Sequence, residues 1–127
     1  MKKTDPKRIL VVDDDPVDRI FMRKILSKNY IVTEASNGEE AMDLARSEKP
    51  ALILMDIMMP KIDGYSACHM IKSNPLTAEI PILILTGLKY ELNIKLAHEM
   101  GAAGYLTKPI NQQELLNRIG QLLCSHR

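Results

Sequence analysis

The segment Ala51-Leu52-Ile53-Leu54-Met55-Asp56-Ile57-Met58-Met59-Pro60 is a continuous apolar run that contains one carboxylate and is closed by a proline. Such a run predicts a parallel β-strand that is buried on both faces. Its one charged residue, Asp56, falls at the carboxyl end of this strand, where an unpaired carboxylate costs several kcal/mol to desolvate. Asp56 is therefore either a cap for the next loop or part of a site that needs an anionic side chain. Ligands bind outside the carboxyl ends of strands in open α/β sheets, which favours the site.

Apolar strands alternate with helical patterns along the rest of the chain. Besides the central strand, we predict strands at Arg8–Val12, Tyr30–Ala35, Ile80–Leu85 and Ala103–Leu106, with the mixed Tyr30–Ala35 segment at a sheet edge. A helix follows each of the five strands. Repeated βα alternation predicts a parallel sheet that right-handed crossovers cover on both faces. We therefore expect one α/β domain over residues 1–127, with its core at residues 8–122.

Local signals mark where several helices begin and end. Asp15 is the predicted amino-terminal cap of the first helix, Pro16 lies in its first turn, and its apolar face is predicted to consist of Val17, Ile20, Phe21 and Ile25. Further boundary signals are Lys49-Pro50 at the end of the second helix, Gly101 as the left-handed cap of a helix over Tyr90–Met100, and Asn111 with Glu114 as a capping box.

The composition excludes several functional classes. The formal net charge is +1, from 17 basic and 16 acidic residues, so no overall field attracts the chain to nucleic acid. The sequence contains no apolar run near the roughly 18 residues of a membrane span, and no signal peptide opens it. Cys68 and Cys124 form no CxxC pair and are expected to be reduced, half-buried thiols. We expect a cytoplasmic protein without direct membrane or nucleic-acid contact.

Polar residues follow four of the predicted strands: Asp13 and Asp14, Asp56, Thr86, and Lys108. If the first strand is central, these residues gather at one rim of the sheet, where three carboxylates must protonate or share a cation. Since no histidine or cysteine is near, a few carboxylates with waters indicate Mg²⁺ rather than Ca²⁺ or Zn²⁺. A magnesium ion, an ammonium and a hydroxyl around one carboxylate indicate a phosphoryl site with Asp56 as nucleophile.

These motifs, in this order, resemble the receiver domain of bacterial two-component response regulators. They are Val11-Val12-Asp13-Asp14, Leu54-Met55-Asp56-Ile57-Met58-Met59-Pro60, Leu85-Thr86-Gly87 and Tyr105-Leu106-Thr107-Lys108-Pro109. The resemblance extends from about Arg8 to Ile119. It implies a flavodoxin-like (βα)5 fold, a doubly wound five-stranded parallel sheet in the order 2-1-3-4-5 with helices on both faces.

The resemblance also implies how the acidic residues act. Asp56 is the expected phosphoacceptor, which receives a phosphoryl group from a phosphohistidine on a sensor histidine kinase or a histidine phosphotransfer protein. Asp14 is the expected direct ligand of Mg²⁺, and Asp13 acts largely through water. The backbone carbonyl of Met58 is the third expected protein ligand. The implied activity is that of a phosphoacceptor signalling domain rather than an enzyme, with only self-catalysed phosphotransfer and autodephosphorylation.

A conformational switch is the second implication of the resemblance. The Thr86 hydroxyl is expected to move toward the doubly charged phosphoryl group, and Lys108 is expected to form an ion pair with the same group. Tyr105 then fills the space that Thr86 leaves. The Lys108-Pro109 bond is expected to be cis. Phosphorylation would thereby shift an existing equilibrium and change a binding face for a downstream protein target or a fused output domain.

The chain departs from the family pattern at two places. Ala103-Gly104 and Gln113 stand where regulators that dimerise through charged residues carry acids and an arginine, and we therefore do not expect the charged dimer mode here. Met58 and Leu88 replace polar groups that orient water in members with fast hydrolysis. We therefore expect slow loss of phosphate from Asp56.

Two other functions fit part of the pattern. A phosphatase of the haloacid-dehalogenase type also has a strand-end aspartate nucleophile, but it carries Asp-x-Asp, and Met58 occupies the second position here. A receiver-like module that binds partners without phosphorylation would not need the acidic pocket. Taken singly, Asp56 could be a loop cap and Tyr105 a half-buried edge aromatic. His69, His98 and His126 are expected to be surface residues on helices.

Overall fold

The computed structural model describes residues 6–56, 64–87, 95 and 98–125. Its five strands are β1 Arg8–Val12, β2 Ile31–Ala35, β3 Leu52–Asp56, β4 Ile82–Thr86 and β5 Gly104–Thr107. They form one sheet in the order β2-β1-β3-β4-β5, and all four pairings are parallel. The predicted strand order is confirmed, including the position of β2 at an edge.

Four helices belong to the described residues: α1 Pro16–Leu26, α2 Gly38–Glu48, α3 Gly64–Ser73 and α4 Gln112–Ser125. The predicted helix over Tyr90–Met100 lies largely outside the described residues, although Lys95, His98 and Glu99 are helical. None of the described helices combines the length and the apolar character that crossing a membrane requires.

The core lies on both faces of the sheet because successive side chains of each strand point in opposite directions. On one face, the strand residues pack with α2 and α3; the buried set is Leu10, Val12, Ile53, Met55, Ile82 and Ile84 with Ala41, Ala45, Ala67, Cys68 and Ile71. On the other face they pack with α1 and α4; that set is Ile9, Val11, Leu52, Leu54, Leu83 and Leu85 with Met22, Ile25, Leu26, Leu115 and Ile119. All five residues of β3 are buried, as its apolar sequence predicts.

The prediction of which apolar residues of α1 face the core is wrong for three of the four residues. Val17, Ile20 and Phe21 are 70%, 59% and 46% exposed, and the buried residues of α1 are Met22, Ile25 and Leu26. Helical spacing allows two overlapping apolar stripes in this segment. The sequence pattern alone could not choose the stripe that packs on the sheet.

The predicted boundary signals at Asp15, Lys49, Gly101 and Asn111 are confirmed, whereas the predicted helix start at Tyr90 lies outside the described residues. Asp15 caps α1 by accepting a hydrogen bond from the backbone N–H of Val17 at 2.9 Å. Lys49 is left-handed (φ 47°), and so is Gly101 (φ 97°), where the lack of a Cβ removes the strain. Asn111 Oδ1 accepts the backbone N–H of Glu114 at 2.9 Å.

Neither cysteine is half-buried, so that expectation is wrong, although neither forms a disulfide, as predicted. Cys68, on the inner side of α3, is fully buried, and Cys124 is exposed. Burial raises the pKa of Cys68 to about 11, against a small lowering by Lys72. The Cys68 thiol therefore behaves as a packed apolar group.

Candidate functional site

Three carboxylates meet at the carboxyl ends of β1 and β3, which are neighbours in the sheet. Asp13 and Asp14 follow β1, and Asp56 is the last residue of β3. One oxygen from each carboxylate lies within 4.8 Å of the other two. Asp13 and Asp56 are 3% and 6% exposed, whereas Asp14 is exposed. The predicted acidic cluster therefore exists, with Asp13 and Asp56 buried and Asp14 exposed to solvent.

The turn that carries Asp13 is held by three hydrogen bonds. Its carboxylate Oδ1 accepts the backbone N–H of Asp15 at 2.9 Å. Its backbone N–H donates to the carbonyl of Ala35 at 3.1 Å, and its own carbonyl accepts a guanidinium N–H of Arg19 at 2.6 Å. These bonds fix the direction in which the Asp13 carboxylate points.

Arg19 is itself anchored, because its Nε donates to Glu34 on β2 at 3.1 Å. Burial raises the pKa of Glu34, but the guanidinium groups of Arg23 and Arg19 outweigh burial and hold the pKa below its ordinary value. Glu34 thus stays charged and keeps Arg19 in place beside the acidic turn.

Burial and charge repulsion make the Asp13 carboxylate costly to ionise. Burial is the main cause that raises the pKa of Asp13 from 3.8 to about 6, and the neighbouring Asp56 and Asp18 add to it. The Asp15 hydrogen bond and Lys108 act in the opposite direction. A divalent cation would relieve this repulsion, and the donors are all oxygens, which fits Mg²⁺.

Lys108 supplies the positive charge of the site. Its Nζ lies 3.6 Å from Asp13 Oδ2, 3.8 Å from Asp56 Oδ1 and 3.4 Å from Asp18 Oδ2. Burial lowers the pKa of Lys108, but the carboxylates of Asp56, Asp13 and Asp18 outweigh burial and raise it above the ordinary value. The Lys108-Pro109 peptide bond is cis, as expected.

Asp18 is, with Arg19, a charged residue of the site that the sequence did not reveal. It lies in the first turn of α1 and not at a strand end. The available signal was its place in the first turn of the predicted helix that follows the acidic strand end, three residues after the cap Asp15.

The switch residues are described in part. The backbone of Thr86 ends β4, in register with Thr107 of β5, but its hydroxyl lies outside what the structure describes. Tyr105 on β5 is half-buried, and its ring meets that of His98 edge to face, with centroids 6.4 Å apart. His69 and His98 are exposed, as predicted. Met58, Leu88 and His126 lie outside the described residues.

Comparison with known proteins agrees with this geometry. Residues 9–120 match the family model of the response regulator receiver domain. Protein PilH of Pseudomonas aeruginosa is 38% identical over 92% of this chain and 98% of its own length. The alkaline phosphatase synthesis transcriptional regulatory protein PhoP of Bacillus subtilis is 39% identical over 92% of the chain. The chain spans 48% of PhoP, so about half of that relative has no counterpart here.

Solved structures share the fold. A response regulator from Chloroflexus aurantiacus has a TM-score of 0.90 at 35% identity and covers 94% of this chain and 99% of its own. The receiver domain of a sensor histidine kinase from Pseudomonas aeruginosa has a TM-score of 0.87 at 29% identity and covers 94% and 98%. That second structure has a magnesium ion coordinated in its active site cleft.

Proposed function

Because the chain belongs to the response regulator receiver domain family of two-component signalling, we propose that Asp56 is its phosphoacceptor. The observation that carries the proposal is the surroundings of Asp56: Asp13 and Asp14 within 4.8 Å by their oxygens, and the Lys108 ammonium at 3.8 Å. A loop cap has no need of a buried position beside two other carboxylates. The same position suits a nucleophile that acts next to a bound cation.

We propose that Asp13, Asp14, Asp56 and the backbone carbonyl of Met58 hold Mg²⁺. When bound, Mg²⁺ neutralises the charge of the incoming phosphoryl group. The magnesium ion in the cleft of the Pseudomonas aeruginosa receiver domain supports this assignment. The raised pKa of Asp13 supports it too, because burial and the neighbouring Asp56 destabilise the ionised carboxylate and a bound cation would stabilise it.

The remaining chemistry belongs to the side chains. A carboxylate oxygen of Asp56 attacks phosphorus, the bond from phosphorus to the donor histidine nitrogen breaks, and an acyl phosphate forms on Asp56. Lys108 pairs with a phosphoryl oxygen as the charge develops. The Thr86 hydroxyl then donates a hydrogen bond to a phosphoryl oxygen, and Tyr105 moves inward. The protein's own chemistry is confined to this transfer and to autodephosphorylation.

The partners follow from this role. We propose a sensor histidine kinase or a histidine phosphotransfer protein as donor, and a downstream protein or a fused output domain as target. The switching surface consists of β5, α4 and the predicted helix between β4 and β5. Ala103 and Gln113 are exposed and uncharged on this surface, so we propose no dimer through charged pairs there. We place the reaction in the cytoplasm, in one receiver domain over residues 1–127.

Labelling with a small phosphodonor tests the proposal. The chain is incubated with radiolabelled acetyl phosphate, with Mg²⁺ or with EDTA, and incorporation is counted for wild type, Asp56→Asn and the control Asp43→Asn. Asp43 is an exposed acid of α2, paired only with Arg46 among the ion pairs of the described residues. Wild type and Asp43→Asn should incorporate label only with Mg²⁺, and Asp56→Asn should not. Equal labelling of Asp56→Asn refutes the proposal, and an unlabelled wild type favours the phosphorylation-independent module.

A further inference from the structure

Lys108 is shared among three carboxylates, and the nearest of them is not part of the strand-end cluster. Its Nζ donates a hydrogen bond to Asp18 Oδ2 at 3.4 Å, compared with 3.6 Å to Asp13 and 3.8 Å to Asp56. Asp18 projects from the first turn of α1, and its side chain is 42% exposed. The ammonium is thus held between the helix and the buried acids.

We propose that Asp18 is a positioning residue that restrains Lys108 before phosphorylation and opposes its transfer to the phosphoryl group. This inference rests on the proposed role of Asp56. An ammonium has three N–H donors and no fixed geometry, so its position depends on the attraction of all three carboxylates. Asp18 offers an acceptor on α1, whereas Asp13 and Asp56 offer theirs at the ends of β1 and β3.

Phosphorylation changes the balance of this competition. The phosphoryl group brings a charge of about −1.5 to −2 to Asp56. Lys108 then pairs with phosphoryl oxygens, and Asp18 loses its partner while it remains close to the new negative charge. Both effects disfavour the phosphorylated state relative to a chain without a carboxylate at this position. Since Asp18 is partly exposed, we expect an effect of about two- to fivefold on affinity.

Binding of beryllofluoride in the presence of Mg²⁺ provides the test, because it reports capture of a phosphoryl mimic without turnover. We would follow it by amide chemical shifts in NMR titrations of the full chain. Asp18→Asn should lower the Kd for beryllofluoride about threefold. Asp18→Glu, which keeps the charge and can reach Lys108, should restore the wild-type Kd. A purely structural role of Asp18 in α1 would not strengthen binding of the mimic.

Asp15→Asn is the matched control for charge. It removes an acid from the same turn, and asparagine still caps the helix well. Asp15 makes no ion pair with Lys108 in the described part of the chain. Its Kd should stay within about 1.5-fold of wild type, because a screened charge without contact has little effect.

Two results would overturn the inference while leaving the proposed function intact. The first is an Asp18→Asn variant that binds beryllofluoride no more tightly than wild type. The second is an equal gain in Asp15→Asn, which would mean that only the overall charge near the site matters. A wild-type chain that binds no beryllofluoride with Mg²⁺ would overturn the proposed function and the inference together.

Discussion

Replacing Asp13 by asparagine should stabilise the protein at neutral pH in the absence of divalent cations. Burial and Asp56 raise the pKa of Asp13 from 3.8 to about 6. That difference of about two pH units corresponds to about 3 kcal/mol at 1.36 kcal/mol per unit. Asparagine resembles the protonated side chain and can still accept the backbone N–H of Asp15. We therefore expect Asp13→Asn to raise the free energy of unfolding by about 2 to 3 kcal/mol at pH 7.5.

The gain must depend on pH with a defined sign. Because the pKa of Asp13 is raised in the folded state, its contribution to stability is present in full below pH 3.8 and is lost as the pH rises through about 6. The Asp13→Asn variant has no ionisable group at this position and therefore does not lose this stability as the pH rises. Its advantage over wild type should thus be near zero below pH 3.8, grow between pH 4 and pH 6, and stay constant above about pH 7.

Urea titrations followed by far-UV circular dichroism measure this difference, provided that the dependence on urea is the same for both proteins. The control is Asp43→Asn, which should change stability by less than about 0.5 kcal/mol because Asp43 is exposed. Adding Mg²⁺ should reduce the stability difference between Asp13→Asn and wild type, because wild type binds the ion more tightly and is stabilised more by it. An advantage that is absent at pH 7.5, or that is the same at pH 4 and pH 8, would refute the reasoning.

Three further predictions follow from the site. Arg19→Ala removes the hydrogen-bond donors to the Asp13 carbonyl and to Glu34, and it should lower the free energy of unfolding by about 1 to 2 kcal/mol. It should also weaken Mg²⁺ binding measured by calorimetry, and an unchanged Mg²⁺ affinity would contradict this prediction. The acyl phosphate on Asp56 should persist well beyond seconds after the donor is removed, as followed by loss of radiolabel, and decay within seconds would show the expectation to be wrong. Thr86→Ala should bind beryllofluoride yet fail to change the amide shifts of β5 and α4, whereas a wild-type pattern of changes there would exclude the proposed switch.

The sheet and its rim could be predicted from sequence because both depend on the backbone. Five apolar runs separated by helices leave few arrangements of a parallel sheet. Once β1 and β3 are neighbours, any residue that ends either strand lies at the same rim. Asp13, Asp14 and Asp56 could therefore be grouped without knowing a single side-chain rotamer.

The predictions that failed depend on how a helix is rotated about its axis and on how far its side chains extend. The apolar stripe of α1 was misjudged because Val17, Ile20 and Phe21 satisfy the helical spacing as well as the stripe that is buried. Turning a helix about its axis changes which residues are buried but changes no pattern along the chain. The final orientation depends on contacts with distant segments, such as the hydrogen bonds of Arg19 to Asp13 and Glu34.

The rotation that was misjudged is also what brings Asp18 to Lys108. In the observed orientation of α1, Met22, Ile25 and Leu26 pack on the sheet, and the first turn places Asp18 within 3.4 Å of Lys108 Nζ. These two residues are 90 positions apart in sequence, so no local signal connects them. If the predicted stripe were the buried one, Asp18 would turn with it. The ion pair of Asp18 with Lys108 and the exposure of Val17 and Phe21 are therefore consequences of one helix orientation.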